Sequence, residues 1–234
     1  SDDIEILVAI GNHISIAIET SRAAKNEVVR KTLEKDLEVT GAVQSLLIPK
    51  YDLYKSSDIA LAGHYQSAAQ SGGDWWWYEE ATDDGSVRLF LGDVTGHGPG
   101  SAMVTATVAS SYRALKKKGF DKDIKALLES LNSNLFELCN TTYTMTMTVL
   151  DIRPKKNELI CYRAGAPTVT MVMADGSTKN LIGPSTPLGY EKFSVHVNTV
   201  PFMPGDRAFL FTDGAYEFET KEKREFGVRR LQRL

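Results

Sequence analysis

The sequence has few cysteines, no long apolar run and little clustered positive charge, and each absence excludes a class of protein. Two cysteines, Cys139 and Cys161, among 234 residues are too few for a disulfide framework or a cysteine metal cage. No apolar run approaches the roughly 18 residues that indicate a membrane span, and the N-terminus has no signal-peptide pattern. The net charge is −3, with no basic block beyond Lys116-Lys117-Lys118. We therefore expect a cytoplasmic protein with no membrane partner and no nucleic-acid partner.

What the sequence does contain is a glycine-rich loop, Gly92-Asp93-Val94-Thr95-Gly96-His97-Gly98. A predicted strand over 87–91 precedes it, and a predicted helix over 99–117, opened by Pro99, follows it. Glycines in such a loop allow positive φ angles and a close approach of the backbone to another group. One aspartate and one histidine among three glycines are more than a hairpin turn requires.

Two further aspartates lie beside glycines close to predicted strands. They are Asp74, which follows Gly72-Gly73, and Asp213, which precedes Gly214. Because Asp-Gly is the commonest turn dipeptide, either motif alone is equally compatible with a turn. Together with Asp93 they predict hard oxygen ligands that converge on a divalent cation, Mg²⁺ or Mn²⁺. If all three motifs are turns, the chain is instead a metal-independent binding domain.

The first fifty residues are predicted to be helical and to carry a contact between two chains. Apolar residues recur at three- and four-residue spacing over 2–24, and a narrower near-heptad stripe follows over 25–47. We predict that residues 25–50 form a two-stranded coiled-coil linker that makes the chain a homodimer, and that Pro49 ends the helix. A surface helix packed on its own domain is the alternative. The stripe comprises Val29, Leu33, Leu37, Thr40, Val43 and Leu47.

Beyond residue 50, predicted strands alternate with a pair of consecutive helices. Trp75 and Trp77 are expected on one face of their strand and Trp76 on the other. Met145 and Met147 are expected to face the core of a half-buried strand. These patterns alone indicate an α+β fold with two or more layers. The predicted strands are 59–69, 75–78, 143–152, 158–163, 169–173, 193–200 and 207–211, and the second helix is 121–138.

Three motifs, taken in order, carry a family resemblance: GGD at 72–74, GDVTGHG at 92–98 and PGDRAFLFTDG at 204–214. The set resembles the metal-dependent protein serine/threonine phosphatases (PPM or type 2C-like), in their SpoIIE/RsbU branch. The segment 38–49 is similar to the one that precedes the phosphatase domain in that branch. The resemblance implies a phosphatase domain at 51–234 with an α/β (α+β) fold, in which two stacked, mostly antiparallel sheets are flanked by helices. Residues 1–24 resemble the last helix of a GAF-type sensor domain.

The resemblance also implies a reaction and a set of ligands. The reaction is hydrolysis of phosphoserine or phosphothreonine on a bacterial signalling protein, such as an anti-sigma-factor antagonist, by a metal-activated water. Asp93 would bridge two Mn²⁺ or Mg²⁺ ions, with the Val94 carbonyl as a further ligand. Asp213 would hold one ion, and Asp74 would bind directly or through water. His97 is left open between positioning the loop and donating a proton.

Three positions depart from the family pattern. Trp77 stands where an acidic residue is usual, and Ala166 stands where a histidine is usual. A further aspartate usually comes close to the C-terminus, but no acidic residue follows Glu225 here, and the domain is predicted to lack its C-terminal end. Since Mg²⁺ and Mn²⁺ sites depend on few carboxylates, we expect weak activity and partial metal occupancy. The alternative function is a catalytically weak signalling or docking module of the same fold, regulated through its N-terminal helix.

Overall fold

The computed structural model describes residues 2–49, 53–66, 72–80, 85–218 and 226–231. The chain divides into two compact units, residues 1–39 and residues 40–234. The domain boundaries predicted at residues 24 and 50 remain predictions. Within the described ranges, none of the helices combines the length and the hydropathy that crossing a bilayer requires.

Helix α1 runs Asp2–Ser45 without a break. It ends four residues before Pro49, which corrects the predicted end. A hydrogen-bonded turn closes the helix, since the Leu47 amide donates to the Gln44 carbonyl at 2.9 Å. The chain therefore leaves the helix through local backbone bonds before the proline is reached.

The apolar residues of α1 differ in their exposure. Ile10, Ile14, Val29 and Leu33 are all exposed. Leu47, just beyond the helix, is only 7% exposed and belongs to a hydrophobic core of the second unit. The last position of the predicted coiled-coil stripe is thus a core residue of the unit 40–234.

The second unit contains antiparallel sheets. Their strands are β1 Leu53–Lys55, β2 Ala60–Ala62, β3 Trp75–Glu80, β4 Val87–Val94, β5 Met145–Arg153, β6 Glu158–Ala164, β7 Val169–Val172, β8 Thr178–Leu181, β9 His196–Pro201 and β10 Arg207–Phe209. A five-stranded sheet in the order β3-β4-β5-β6-β9 forms the centre of the unit. A three-stranded sheet has the order β10-β7-β8, and β1 pairs with β2. Every strand pairing in these sheets is antiparallel.

The described residues form three further α-helices, α2 Pro99–Lys117, α3 Ile124–Cys139 and α4 Val228–Leu231. Helix α2 has the predicted bounds, because Pro99 supplies the fixed φ of a first helical residue. The predicted start of α3 at residue 121 is too early. Asp123 caps that helix, accepting hydrogen bonds from the amides of Lys125 and Ala126 at 3.0 and 3.1 Å.

The five-stranded sheet has a hydrophobic core on each face. One core lies against α2 and α3 and contains Trp75 and Met147, whereas the other contains Trp76 and residues of the three-stranded sheet, such as Met171. The two tryptophans therefore lie on opposite faces of β3, as predicted. Helices cover one face of the central sheet and the smaller sheet covers the other. This arrangement confirms the α/β fold class with stacked antiparallel sheets.

Several strands differ from their predicted form. β5 is buried on both faces, with Thr148 only 3% exposed, because a central strand between two packed layers has no solvent face. The strand predicted over 59–69 is limited to Ala60–Ala62, and residues 67–69 lie outside the described residues. The polar strand β8 was not predicted, since three of its four residues are exposed and show no apolar alternation.

Candidate active site

A cleft of about 290 Å³ opens where β4 ends and β5 begins. Residues that follow β6 and β10 complete its walls. Because the ends of several strands meet here, groups far apart in sequence share one space. The lining residues are Asp93, Thr146, Gly165, Ala166, Pro167, Thr212, Asp213, Tyr216 and Glu217.

Asp93 belongs to a strand and not to the predicted loop. β4 continues through Val94, and Asp93 is paired with Thr146 of β5. The glycine before it, Gly92, has no room for a side chain, since an added Cβ would lie 2.5 Å from the Met145 methyl carbon. The loop proper starts after Val94. In it, Gly98 adopts a φ of 89° immediately before α2, a conformation that glycine tolerates best.

Asp74 is held beside Asp93 by the backbone of Gly73. The Val94 amide donates to the Gly73 carbonyl at 3.2 Å, and the Thr105 hydroxyl donates to the same oxygen at 2.7 Å. A Cβ on Gly73 would lie 3.2 Å from Oδ1 of Asp93 and in hard contact with the Val94 carbonyl oxygen. Glycine therefore allows the segment 72–74 to approach β4 closely.

The carboxylates of Asp74 and Asp93 perturb one another. Burial raises the pKa of Asp93 to about 7, with further contributions from the charges of Asp74, Asp213 and Glu217. Burial also raises the pKa of Asp74, as does the Asp213 charge, although hydrogen bonds with Thr212 and Asp93 oppose the shift. Oδ1 of Asp74 is buried and accepts no hydrogen bond from the described parts of the chain. A divalent cation would relieve this repulsion.

Asp213 lies in a single-turn 3₁₀ helix, Asp213–Ala215, that follows β10. The amides of Tyr216 and Glu217 donate to the Asp213 carbonyl at 2.9 and 2.8 Å, so the turn brings Glu217 to the same cleft. Sequence reasoning missed Glu217. Its position four residues after Asp213, within one helical turn, is the signal that could have indicated it.

The donor set is chemically suited to Mg²⁺ or Mn²⁺, since it consists of carboxylate oxygens and backbone carbonyls. Among the residues with described positions, however, no three acidic, histidine or cysteine side chains are close enough to enclose an ion. The structure thus brings Asp93 and Asp213 to one cleft, with Asp74 beside them, but forms no closed ligand shell. Open carboxylate sites of this kind fit cations that keep several of their waters.

The remaining predicted positions lie in different surroundings. The Val94 side chain is buried in the core, and its carbonyl oxygen faces Gly73. His97 is exposed and does not line the cleft. Ala166 is part of the cleft wall, so this departure from the family pattern lies at the site. Trp77 does not line the cleft. The guanidinium of Arg113 lies over the Trp77 ring, 5.2 Å from the ring centroid.

Residues 83–234, more than half of the chain, match the family described as Stage II sporulation protein E (SpoIIE). The chain belongs to the SpoIIE family. It is therefore a PP2C-type serine/threonine phosphatase domain of the SpoIIE/RsbU kind, in a family of metal-dependent protein phosphatases. Among curated proteins, none matches the sequence significantly.

Solved structures share the fold of this SpoIIE-family domain. The SiaA-PP2C domain of Pseudomonas aeruginosa is 18% identical with a TM-score of 0.70, and the match covers 88% of this chain and 82% of that one. RsbX in complex with magnesium is 15% identical with a TM-score of 0.55, covering 77% and 88% of the two chains. The RsbU and RsbW domains of Rv1364c from Mycobacterium tuberculosis are 27% identical with a TM-score of 0.51. That match covers 68% of this chain and 44% of the longer relative.

Proposed function

We propose that this chain removes phosphate from phosphoserine or phosphothreonine of a bacterial signalling protein, with Asp74, Asp93 and Asp213 as ligands of two divalent cations. The observation that carries the proposal is the meeting of Asp93 and Asp213 in one cleft, beside Asp74. These residues lie in three separate segments of the sequence. The charges of Asp74 and Asp213 both raise the pKa of Asp93, which supports a site that binds cations.

The chain's own residues have distinct proposed roles. Asp93 is central, because the charges of Asp74 and Asp213 both act on it, and we assign it the bridging position. The Val94 carbonyl is a further proposed ligand. Divalent cations bound here would lower the pKa of water and screen the charge of the phosphate. Thr146 and Thr212 both line the cleft. We assign the Thr146 hydroxyl as a hydrogen-bond donor to phosphate oxygens, whereas the Thr212 hydroxyl hydrogen-bonds to Asp74.

Magnesium or manganese is the proposed cation. RsbX, which shares the fold, was solved with magnesium. Oxygen donors alone do not discriminate between Mg²⁺ and Mn²⁺. The proposed substrate is an anti-sigma-factor antagonist. The RsbU domain of the Mycobacterium tuberculosis relative occurs together with an RsbW domain, which supports a place for this chain in such signalling.

A catalytically weak signalling or docking module is the second candidate. Two observations favour it: Ala166 contributes only a methyl group to the cleft wall, and the described acidic side chains do not enclose an ion. Under this alternative the chain binds a phosphoprotein, with regulation through α1, and turns it over slowly.

The deciding experiment measures Mn²⁺ binding by calorimetry and phosphate release from a phosphoserine peptide. The chain is compared with its Asp93→Asn and Asp213→Asn variants. Asp175→Asn is a matched control, because Asp175 also precedes a glycine but its carboxylate accepts hydrogen bonds from Ser177 in an exposed turn. Binding and turnover that depend on Asp93 and Asp213 support the phosphatase. Binding without turnover supports the docking module, and no binding in the unsubstituted chain refutes the metal site.

A further inference from the structure

Gln44 has a buried side chain that is fully engaged with the backbone next to Asp74. It is only 2% exposed. Its amide nitrogen donates to the Gly72 carbonyl at 2.6 Å and to the Asp74 carbonyl at 3.2 Å. Its amide oxygen accepts from the Gly72 amide at 3.0 Å. A side chain at the end of α1 therefore holds both ends of the segment 72–74.

Neighbouring contacts fix the rest of this segment. Thr105 of α2 and Val94 of β4 both donate to the Gly73 carbonyl, as described above. The Trp75 indole N–H donates to the Leu47 carbonyl at 3.0 Å, in the turn that follows α1. Four consecutive residues, 72–75, are thus tied to three different elements. Since the Asp74 backbone is held at its carbonyl, the end of α1 helps to decide how far Asp74 lies from Asp93.

We propose that Gln44 is a positioning residue for the metal site, which sets the Asp74 carboxylate relative to Asp93. The proposal rests on the proposed function, because it takes Asp74 to be a ligand. Buried side-chain amides that grip a loop are often purely structural, so the alternative is a Gln44 that only stabilises the fold. Groups that orient ligands without touching the ion typically change metal affinity about 10- to 100-fold when removed.

The chain contains a matched control for the structural alternative. Asn132 is also buried, at 6% exposure, and its amide likewise makes three hydrogen bonds to a backbone segment. It donates to the Tyr190 carbonyl at 3.0 Å and accepts from the amides of Gly189 and Tyr190 at 2.8 and 3.2 Å. Neither Gly189 nor Tyr190 lines the cleft. Loss of this amide should therefore lower stability without moving a ligand.

The test compares the full chain with Gln44→Met and Asn132→Leu, two substitutions that keep side-chain size and remove the hydrogen bonds. Mn²⁺ affinity is measured by calorimetry, and amide hydrogen exchange is measured over residues 72–75. Both variants should unfold at lower temperature. Gln44→Met should bind Mn²⁺ about 10-fold more weakly or worse and lose exchange protection at 72–75, whereas Asn132→Leu should retain the affinity within about 2-fold.

A second variant and a kinetic readout complete the design. Gln44→Asn keeps an uncharged amide but is one methylene shorter, which weakens its hydrogen bonds to Gly72 and Asp74, and it serves if Gln44→Met does not fold. In either Gln44 variant, the kcat for the phosphopeptide should recover as the Mn²⁺ concentration is raised, while KM stays unchanged. A purely structural role of Gln44 would not produce this recovery. Unchanged Mn²⁺ affinity or unchanged protection at 72–75 overturns the proposal. A full chain without Mn²⁺ affinity refutes the proposed function itself, a separate result visible before any variant is made.

Discussion

Gly73 and Val94 touch through their backbones beside the cleft. The Val94 amide donates to the Gly73 carbonyl at 3.2 Å, and a Cβ on Gly73 would overlap the Val94 carbonyl oxygen. The two residues come from segments some twenty positions apart, and each is adjacent to a proposed metal ligand. The missing side chain of Gly73 thus determines the separation of Asp74 from Asp93.

We predict that Gly73→Ala weakens the metal site as well as the fold. The added methyl group must push the segment 72–74 away from β4, because its contact is with backbone and not with a flexible side chain. The free energy of unfolding should fall by about 1–3 kcal/mol, as for other overpacked sites. Calorimetry should show at least a roughly 10-fold loss of Mn²⁺ affinity.

Gly11→Ala is the control for this substitution. Gly11 lies within α1, and a Cβ there would meet nothing within 4 Å. Alanine in a helix interior should stabilise by about 0.5–1 kcal/mol and leave Mn²⁺ binding unchanged. Wild-type metal affinity in Gly73→Ala would show that the contact with Val94 does not position the ligands.

Gly92 illustrates where sequence reasoning reached its limit. Three glycines around Asp93 predicted a loop, and two of them, Gly96 and Gly98, do adopt positive φ angles. Gly92 instead lies within β4, where the methyl groups of Met145 and Met147 occupy the space of a side chain. A glycine needed for conformation and one needed for packing cannot be distinguished without knowing the neighbouring strand.

The other features were predicted when their cause lies within one segment of the sequence and missed when it depends on another segment. Helix α2 was predicted with its observed bounds because Pro99 and the composition that follows act within one segment. Gln44 and Glu217 were missed because their roles depend on other segments of the chain. Gln44 forms hydrogen bonds with residues 72–74, and the charge of Glu217 acts on Asp93. The ordered set of family motifs had indicated Asp74, Asp93 and Asp213 together. The burial and the hydrogen-bond partners of these aspartates could be determined only from the fold.

The metal-free protein is predicted to lose stability as pH rises towards 7. Burial raises the pKa of Asp93 to about 7 in the folded state, from its ordinary value of 3.8, so the folded state binds this proton more tightly than the unfolded state. The stabilisation is complete below the unfolded pKa and disappears as pH rises through the folded pKa. After allowance for partial exposure, the difference should be about 1–3 kcal/mol.

Urea denaturation with a chelator, from about pH 5 to about pH 8.5, tests this dependence. Asp93→Asn should flatten the profile, because its amide cannot ionise, whereas Asp175→Asn should keep it. Adding Mn²⁺ should stabilise the unsubstituted chain most at high pH, where the carboxylates are charged. A profile that rises with pH in the absence of metal would contradict the repulsion inferred at the cleft.

Glu217→Gln should weaken Mn²⁺ binding by about 3- to 10-fold, a smaller loss than that of Asp93→Asn. Glu217 lines the cleft and its charge acts on Asp93, but it is exposed, so solvent screens part of its effect. Calorimetric titration compares it with Glu191→Gln, a change at another exposed glutamate outside the cleft. If the two variants bind Mn²⁺ equally well, Glu217 has no part in the site.

The exposed apolar residues of α1 predict that the chain is a homodimer. Ile14 and Leu33 are 54% and 55% exposed. Packing such apolar side chains against a second copy of the helix removes them from water and lowers the free energy. Light scattering should give twice the 25.8 kDa of one chain.

The double variant Ile14→Glu with Leu33→Glu should give the monomer mass and unchanged Mn²⁺ affinity, since neither residue belongs to the cleft. Asn12→Glu places a negative charge on the side of the helix opposite Ile14 and should leave the dimer intact. A monomer at every concentration of the unsubstituted chain would mean that these side chains serve another contact.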